Sequence, residues 1–460
     1  MDLVPQNIQT KRTMRRIGFT NFRRFEQFPV LDINDMTFLV GSNNTGKSTM
    51  VKAILLVYDN LRSLRSFQKD GKWEVPKFKF DASKTRDLHI GTFWRALNSK
   101  AKDRADEHIT FTATLNQLTY DVIVTSNKDN TDDLYETMAP VDCITVTDHK
   151  NLVRIEVDYA NQLLNATVDY NGNNPQSITD ELDKFTSFAY NNDLLNRIYA
   201  LSAVWQDHTE LLKTVIDDIL ASLSDNYIEY FYAHGVTQKV VYSFEDKNDS
   251  IATIIHDYEN ERKLFDKNEE QFTQKWMTKF GIGKGIKIKS VSGAAFSVNI
   301  LDDLHQKEGI NLVDMGIGYI QLILLLLKLN TFISRNRRKK NKTTLIIIEE
   351  PEQNLHPRLQ SMLTDLFASI HEEYGIRFLI ETHSEYIIRA AQVKVGDSEY
   401  NSQEQLDEDC PFTVYYFPED DIPYDMGFTT TGKFTREFRQ GFFDEAGKLF
   451  MNVLKRERKE

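Results

Sequence analysis

The sequence predicts an α/β protein whose strand-and-helix pattern is interrupted by a mainly helical insertion. Three observations carry that prediction. The apolar strand Met36-Thr37-Phe38-Leu39-Val40 runs into a glycine-bearing loop, Gly41 to Thr49, and then into an amphipathic helix. The segments Ile178 to Leu223 and Ile251 to Lys279 have a helical period, many charges and few glycines. After Ser290, strands and helices alternate again.

In chain order, Arg16 to Val40 is strand-like, with a hairpin through Ile17-Gly18-Phe19 and Leu31 to Ile33. The helix after Thr49 places Val51, Ile54, Leu55, Tyr58, Leu61 and Leu64 at helical spacing. His108 to Leu115 nearly alternates, and Tyr120 to Val124 and Asn151 to Val157 read as further strands; the stretch Ser126 to Asp133 between them is rich in turn formers. Inside the insertion, Tyr227 to Tyr232 is a strand. The last part reads as helix Tyr319 to Ile333, strand Thr343 to Ile348, helix Pro357 to Glu373, strand Ile376 to Ile380 and helix Glu385 to Ala391. The expected division is an N-terminal lobe at 1–175, the insertion at 176–285 and a C-terminal lobe at 286–460.

Composition narrows the function. With 460 residues, 41% hydrophobic and 27% charged, the chain has the make-up of a globular protein, which excludes collagen, full disorder and a disulfide scaffold. A net charge of −12 makes it a poor general polyanion binder, so DNA contact would need a local basic face. Arg335 to Lys342 is the candidate, with Lys11, Arg12, Arg15, Arg16, Arg23 and Arg24 adding to it if they share that face; a solvated loop is the plainer reading. The two cysteines, Cys143 and Cys410, lack metal spacing and read as inert core thiols of a reducing compartment. No run reaches the ~18 apolar residues of a membrane helix. Leu322 to Leu327 is closed by Lys328, and Met1 to Arg16 lacks a signal-peptide core. No membrane contact and a cytoplasmic location are expected.

Four motifs carry chemistry. Gly41-Ser42-Asn43-Asn44-Thr45-Gly46-Lys47-Ser48-Thr49 matches G-x-x-x-x-G-K-[ST] between a strand and a helix. Its glycines let backbone amides curl around phosphates at the positive end of the helix, Lys47 reaches the β- and γ-phosphates, and the Ser48 hydroxyl binds Mg2+. The loop binds nucleotide; the bland alternative is a Gly-rich surface turn. Leu345-Ile346-Ile347-Ile348-Glu349-Glu350 ends an apolar strand in two acids, which point different ways and so can do different jobs. Glu349 is assigned to Mg2+ and Glu350 to the attacking water, against the alternative of two solvated acids. Asp314-Met315-Gly316-Ile317-Gly318-Tyr319-Ile320-Gln321 opens an apolar helix and exposes amides suited to a γ-phosphate; an ordinary helix start is the alternative. His383, after the strand ending at Ile380, could bond the γ-phosphate or the water, or simply cap a helix.

Loop, glycine signature, Glu-Glu strand and post-strand histidine in this order resemble the ABC-type ATPase heads of the SMC and RecF proteins. The wording is most similar to their OLD-like branch, in Gly41 to Ser48, in Glu349-Glu350-Pro351-Glu352-Gln353-Asn354-Leu355-His356-Pro357 and in Glu381-Thr382-His383-Ser384. The tail Gly441-Phe442-Phe443-Asp444-Glu445 resembles the end of Septu- and PARIS-type anti-phage ATPases. The resemblance implies an ABC-type P-loop ATPase head, a mixed sheet plus an antiparallel β subdomain, using ATP and Mg2+. It implies that Glu350 is the catalytic base, that His383 is the switch histidine, and that Asp314, Gly316, Gly318 and Gln321 serve the nucleotide of a second protomer. A homo-oligomer, at least a head-to-head dimer, follows from it.

Two departures stand out. Glu349 occupies a position where Asp is usual, and no firm Q-loop is found, since Asp87 to Trp94 holds no Gln and Gln68 is a weaker candidate. Nuclease chemistry is not legible. The 77 residues after His383 are few for a Toprim module, Glu419-Asp420-Asp421 reads as a solvated loop, and the ten histidines form no H-N-H pattern. The expectation is an ATPase without its own nuclease that senses or regulates in anti-phage defence and controls a separate nuclease effector. The alternatives are a repair or chromosome-maintenance ATPase, and a nucleotide-locked scaffold with little hydrolysis.

Overall fold

The computed structural model describes residues 15–457 except 66, 70–71, 82–89, 105–106, 127–136, 173, 233–238, 244–248, 292–294, 306, 340–342 and 440–441. A hairpin of β1 (Arg15–Phe22) and β2 (Phe25–Asp32) leads to β3 (Met36–Gly41) and α1 (Lys47–Ser63). Three short strands, β4 (Phe67–Lys69), β5 (Lys72–Glu74) and β6 (Lys77–Lys79), and helices α2 (Phe93–Ala96) and α3 (Ser99–Asp103) follow. Then come β7 (His108–Leu115), β8 (Leu118–Thr125), β9 (Met138–Asp148), β10 (Val153–Asp158), β11 (Leu163–Val168) and β12 (Gln176–Glu181). The middle holds α4 (Asp193–Val204), α5 (Thr209–Asp225), β13 (Asn226–Tyr232), β14 (Tyr242–Ser243), α6 (Ser250–Arg262) and α7 (Lys267–Phe280), and then β15 (Gly285–Val291), β16 (Ala295–Leu301) and β17 (Ile310–Asn311). The chain closes with α8 (Ile317–Arg338), β18 (Thr343–Glu349), α9 (Pro357–Tyr374), β19 (Arg377–Thr382), α10 (Glu385–Asp397), α11 (Gln403–Asp409), β20 (Phe412–Phe417), β21 (Tyr424–Asp425) and α12 (Glu445–Glu457).

These elements form two compact units. The first spans 1–34, 46–226 and 421–423. Its sheet runs β12-β11-β10-β9-β8-β7-β1-β2, with β6 on β9, and each pairing along that path is antiparallel. Along β7 and β8 buried residues alternate with half-buried ones, the signature of a sheet with one covered face. The second unit spans 35–45, 227–420 and 424–460. Its main sheet runs β13-β18-β19-β3-β20-β21, with β18, β19, β3 and β20 parallel and β21 antiparallel. Strands β3, β19 and β20 are buried along their whole length, as parallel strands flanked by helices must be.

Helix α8 is the centre of the second unit's core. Residues Leu322 to Leu327 are at most 3% exposed, and each such side chain contributes roughly 1.5–3 kcal/mol by leaving water. By length and composition α8 could cross a membrane, contrary to the sequence expectation, yet 78% of its most apolar window is buried within the fold. Helix α9 starts where His356 caps the Arg358 amide and Pro357 takes the first position, and it stops at Gly375 in the left-handed region. Cys143 is half-buried, and burial pushes its thiol up to about 12, consistent with an inert cysteine.

The structure corrects four expectations. The units divide at Asn34/Asp35, Thr45/Gly46, Asn226/Tyr227 and around 421–423, and not at 175 and 285. Helices α4 and α5 pack on each other in the first unit, whereas α6 and α7 pack on α8 in the second, so there is no single helical insertion. Residues 178–181 are strand, because Ile178 pairs with Ala166 and extends the antiparallel ladder. Arg335 to Arg338 is the last turn of α8 and not a loop. Arg335 binds Glu261 at 3.1 Å, Arg337 binds Glu269 at 2.7 Å, and Arg338 binds Glu261 at 2.5 Å. Lys339 lies 3.9 Å from Glu229 and over the Tyr227 ring. Acids of this same unit therefore engage Arg335, Arg337, Arg338 and Lys339 of the run proposed for DNA. Lys340 to Lys342, Lys11, Arg12, most of the Ser126 to Asp133 turn and Gly441 lie outside the described residues.

Glu269 is buried, and it also accepts the Asp266 amide in the α7 capping box. Arg337→Met should destabilise the protein by about 1–3 kcal/mol, because a buried carboxylate loses its charged donor. Adding Glu269→Gln should return part of that loss, as read by urea unfolding of both variants.

Candidate nucleotide site

The site is built at the carboxyl edge of the second unit's parallel strands. Register fixes it: Glu349 pairs with Glu381, Glu381 with Leu39, Thr382 with Val40, and Gly41 with Phe417. The loop that leaves β3, the acids that end β18 and the histidine that follows β19 thus emerge at one edge, where open α/β sheets bind ligands.

The loop itself is shaped by four residues. A Cβ on Gly41 would lie 2.5 Å from the Phe417 carbonyl oxygen, so only glycine lets β20 approach here. Asn44 and Gly46 have φ of 63° and 102°, which curl the chain between β3 and α1. The Thr45 hydroxyl closes the turn by donating to the Ser42 carbonyl at 3.0 Å. Asn43 and Asn44 are exposed, and Lys47 and Thr49 are buried. Helix α1 begins at Lys47 with no side-chain cap, and the Thr49 amide donates to the Gly46 carbonyl at 3.0 Å.

The two acids occupy different surroundings. Glu349 is buried, and the Tyr230 hydroxyl on β13 donates to its Oε1 at 3.1 Å. That bond orients the longer side chain that stands here in place of Asp. Glu350 is half-buried with φ 48°, a conformation that costs a side-chain-bearing residue roughly 1–2 kcal/mol. The fold imposes it where the chain leaves β18: the Glu350 amide donates to the Glu381 carbonyl at 2.8 Å, and the Gln353 amide donates back to the Glu350 carbonyl at 3.2 Å. The His383 ring Nε2 stands 3.7 Å from Glu350 Oε1. The His383 backbone amide donates to Glu352 Oε1 at 2.6 Å, so Glu352 ties the histidine turn to the Glu-Glu turn.

The glycine signature opens α8. Gly316 is its N-cap without a side-chain bond, Asp314 and Gly316 are exposed, and Ile317 and Tyr319 are each 38% exposed. The glycines differ in purpose. A Cβ on Gly316 would meet nothing within 4 Å, whereas one on Gly318 would lie 2.3 Å from the Asn354 carbonyl oxygen. Gln321, 7% exposed, accepts from Asn354 Nδ2 at 3.0 Å.

Among the sequence candidates, the structure brings Glu350 and His383 together and sets Gln321 beside the turn that follows Glu350. Sequence reading missed Tyr230, Glu352 and Gln353 as site residues. Glu352 and Gln353 stand inside the quoted Glu-Glu-Pro-Glu-Gln run, but one amide in a turn has no spacing signature, and Tyr230 lies 119 positions before Glu349. The Gln68 side chain and Asp87 to His89 lie outside the described residues. Glu419, Asp420 and Asp421 are exposed, as expected. Phe442 and Phe443 pack on Tyr416 and Phe438, giving the tail motif a packing role. Among the described residues no three His, Cys, Asp or Glu side chains form a metal-binding set. The Glu349 carboxylate at the end of β18 is a ligand type that fits Mg2+, which takes few protein ligands and completes its shell with phosphates and water.

A parallel sheet with a phosphate loop on its central strand, two acids two strands away and a histidine between them defines an ABC-type P-loop ATPase head. The chain belongs to the AAA ATPase domain family, whose sequence profile matches residues 14–388. It is 20% identical over 411 residues to Endonuclease GajA of Bacillus cereus (strain HuB5-5), covering 82% of this chain and 56% of that protein. It thus spans about half the length of the curated relative it matches. Solved structures similar to it include the SMC head domain from Thermotoga maritima, at 11% identity and a TM-score of 0.34, covering 87% of this chain and 94% of that one. Another is an SMC head bound to the C-terminal winged-helix domain of ScpA, at 12% identity and a TM-score of 0.39, covering 90% and 97%.

Gly318→Ala should lower the melting temperature by several degrees, since the Asn354 backbone must move, while Gly316→Ala should leave it unchanged; thermal unfolding of the two variants checks this. Burial holds the Glu352 carboxyl above its ordinary value of 4.5. The folded state then binds more protons than the unfolded chain between 4.5 and the raised value, so stability falls as pH rises through that window. Glu352→Gln keeps an acceptor for the His383 amide and should gain stability over the parent more at pH 8 than at pH 4, by urea unfolding.

Proposed function

We propose that the protein binds and hydrolyses ATP as a head-to-head oligomer and uses that cycle to control a separate nuclease in anti-phage defence. The observation that carries the ATPase reading is the Glu350–His383 pair, 3.7 Å apart at the edge from which the phosphate loop leaves β3. Gly41 to Thr49 wrap the phosphates, with Lys47 on the β- and γ-phosphates. Bound through Ser48 and Glu349, Mg2+ would neutralise charge on the phosphate oxygens. Glu350 accepts a proton from the attacking water as its oxygen bonds to the γ-phosphorus and the bond to ADP breaks. His383 holds the water or the γ-phosphate, and its contact with Glu350 keeps the carboxylate oriented.

The signature supports the oligomer. Asp314, Gly316, Ile317 and Tyr319 are exposed at the start of α8, so the uncapped amides there can receive a second protomer's γ-phosphate. ATP closes this interface, and hydrolysis or nucleotide release reopens it. The nuclease connection is supported by the relative named as an endonuclease and by the OLD-like wording of the motifs. A chromosome-maintenance role receives less support, because Arg335, Arg337 and Arg338 are engaged by Glu261 and Glu269.

Lys47→Ala should weaken ATP binding more than tenfold, and Glu350→Gln should retain binding while losing at least about 100-fold in turnover; equilibrium binding and phosphate release check both. Tagged Glu350→Gln protein, pulled from its native host with ATP present, should carry a stoichiometric nuclease. Recovery of the chain alone, or of DNA with repair factors, would overturn the defence reading.

A further inference from the structure

The turn that carries Glu350 is fastened to α8 of its own chain by a run of three side-chain amides. Asn354 Nδ2 donates to Gln321 Oε1 at 3.0 Å, Gln321 Nε2 to Gln353 Oε1 at 3.5 Å, and Gln353 Nε2 to Glu350 Oε2 at 2.9 Å. The direction of this run is dictated by its end. A carboxylate accepts only, so Gln353 must present its NH2 to Glu350 and turn its carbonyl oxygen away. That oxygen needs a donor, which Gln321 supplies. The Gln321 carbonyl then faces the Asn354 amide.

The backbone touches at the same place, since Gly318 leaves no room for a Cβ beneath the Asn354 carbonyl. A shift of the first turns of α8 therefore cannot occur without moving the 350–355 turn. The stretch it would move already contains two left-handed residues, Glu350 and Asn354. Such conformations persist only where surrounding contacts hold them.

We infer that Gln353 is a positioning residue that holds the Glu350 carboxylate and that Gln321 governs it from α8, so that the helix offered to a second protomer's nucleotide also sets the base in its own chain. This rests on the reading of Glu350 as the base, and it adds a route by which engagement at one site tunes hydrolysis at the other.

The test uses the full chain and five variants in steady-state ATP hydrolysis. Gln353→Met and Gln321→Met keep side-chain length and remove the amide. Each should lower kcat about 10–100-fold, the range a misplaced catalytic group produces, with the melting temperature unchanged and, for Gln353→Met, the KM for ATP unchanged. The double variant should fall no further than the weaker single, because the two act through one run. Gln353→Asn, polar but one methylene too short to reach Glu350, should match Gln353→Met. A normal kcat in Gln353→Met beside an inactive Glu350→Gln would overturn this inference and leave the base assignment intact. Losses that multiply in the double variant, or that appear in KM alone, would also overturn it. Normal turnover by Glu350→Gln would remove the base assignment and this inference together.

Discussion

Parallel pairing of β18, β19, β3 and β20 is the constraint on which the candidate site depends. Four buried strands share one direction, so their carboxyl ends lie at one edge and whatever follows each strand is delivered there. A slip of one residue would move every side chain of a strand to the opposite covered face, and the close packing of the helices on each face makes that slip costly. The Glu349–Glu381 and Glu381–Leu39 pairings thus set where the acids stand relative to the loop strand.

The sheet delivers the residues, and polar contacts beyond it aim them. Tyr230 bonds Glu349, Glu352 ties the histidine turn to the acid turn, and Gln353, bonded in turn by Gln321, donates to the Glu350 carboxylate. All but the Gln353–Glu350 bond join groups thirty or more positions apart. Their shared effect is to hold a conformation that the local chain disfavours, which is how proteins commonly build reactive geometry.

Much of this was readable from residue order, and the limits follow from physical causes. The Gly41 to Thr49 loop, the acid strand and the histidine turn were legible because the chemistry proposed for each demands particular residue types at fixed spacing. Strands β3, β18 and β19 of the second unit were legible because burial on both faces makes them continuous apolar runs, as in Leu345 to Ile348. β11 and β12 were not, since Leu-Leu-Asn-Ala-Thr-Val and Gln-Ser-Ile-Thr-Asp-Glu become strands only by pairing with neighbours. The basic run after Ser334 read as a loop because its partners, Glu261 and Glu269, lie about seventy positions away.

By itself the sequence determined the family and singled out the Gly41 to Thr49 loop, Glu349, Glu350 and His383 as candidates, because motif order and side-chain type are local properties. Only the tertiary structure decided the division at Asn226/Tyr227, the pairing of the arginines, the reason Gly318 must be glycine while Gly316 is unconstrained, and the amide run from α8 to Glu350. Those are matters of distance between remote segments, and a chain carries no record of distance until long-range pairing has closed it.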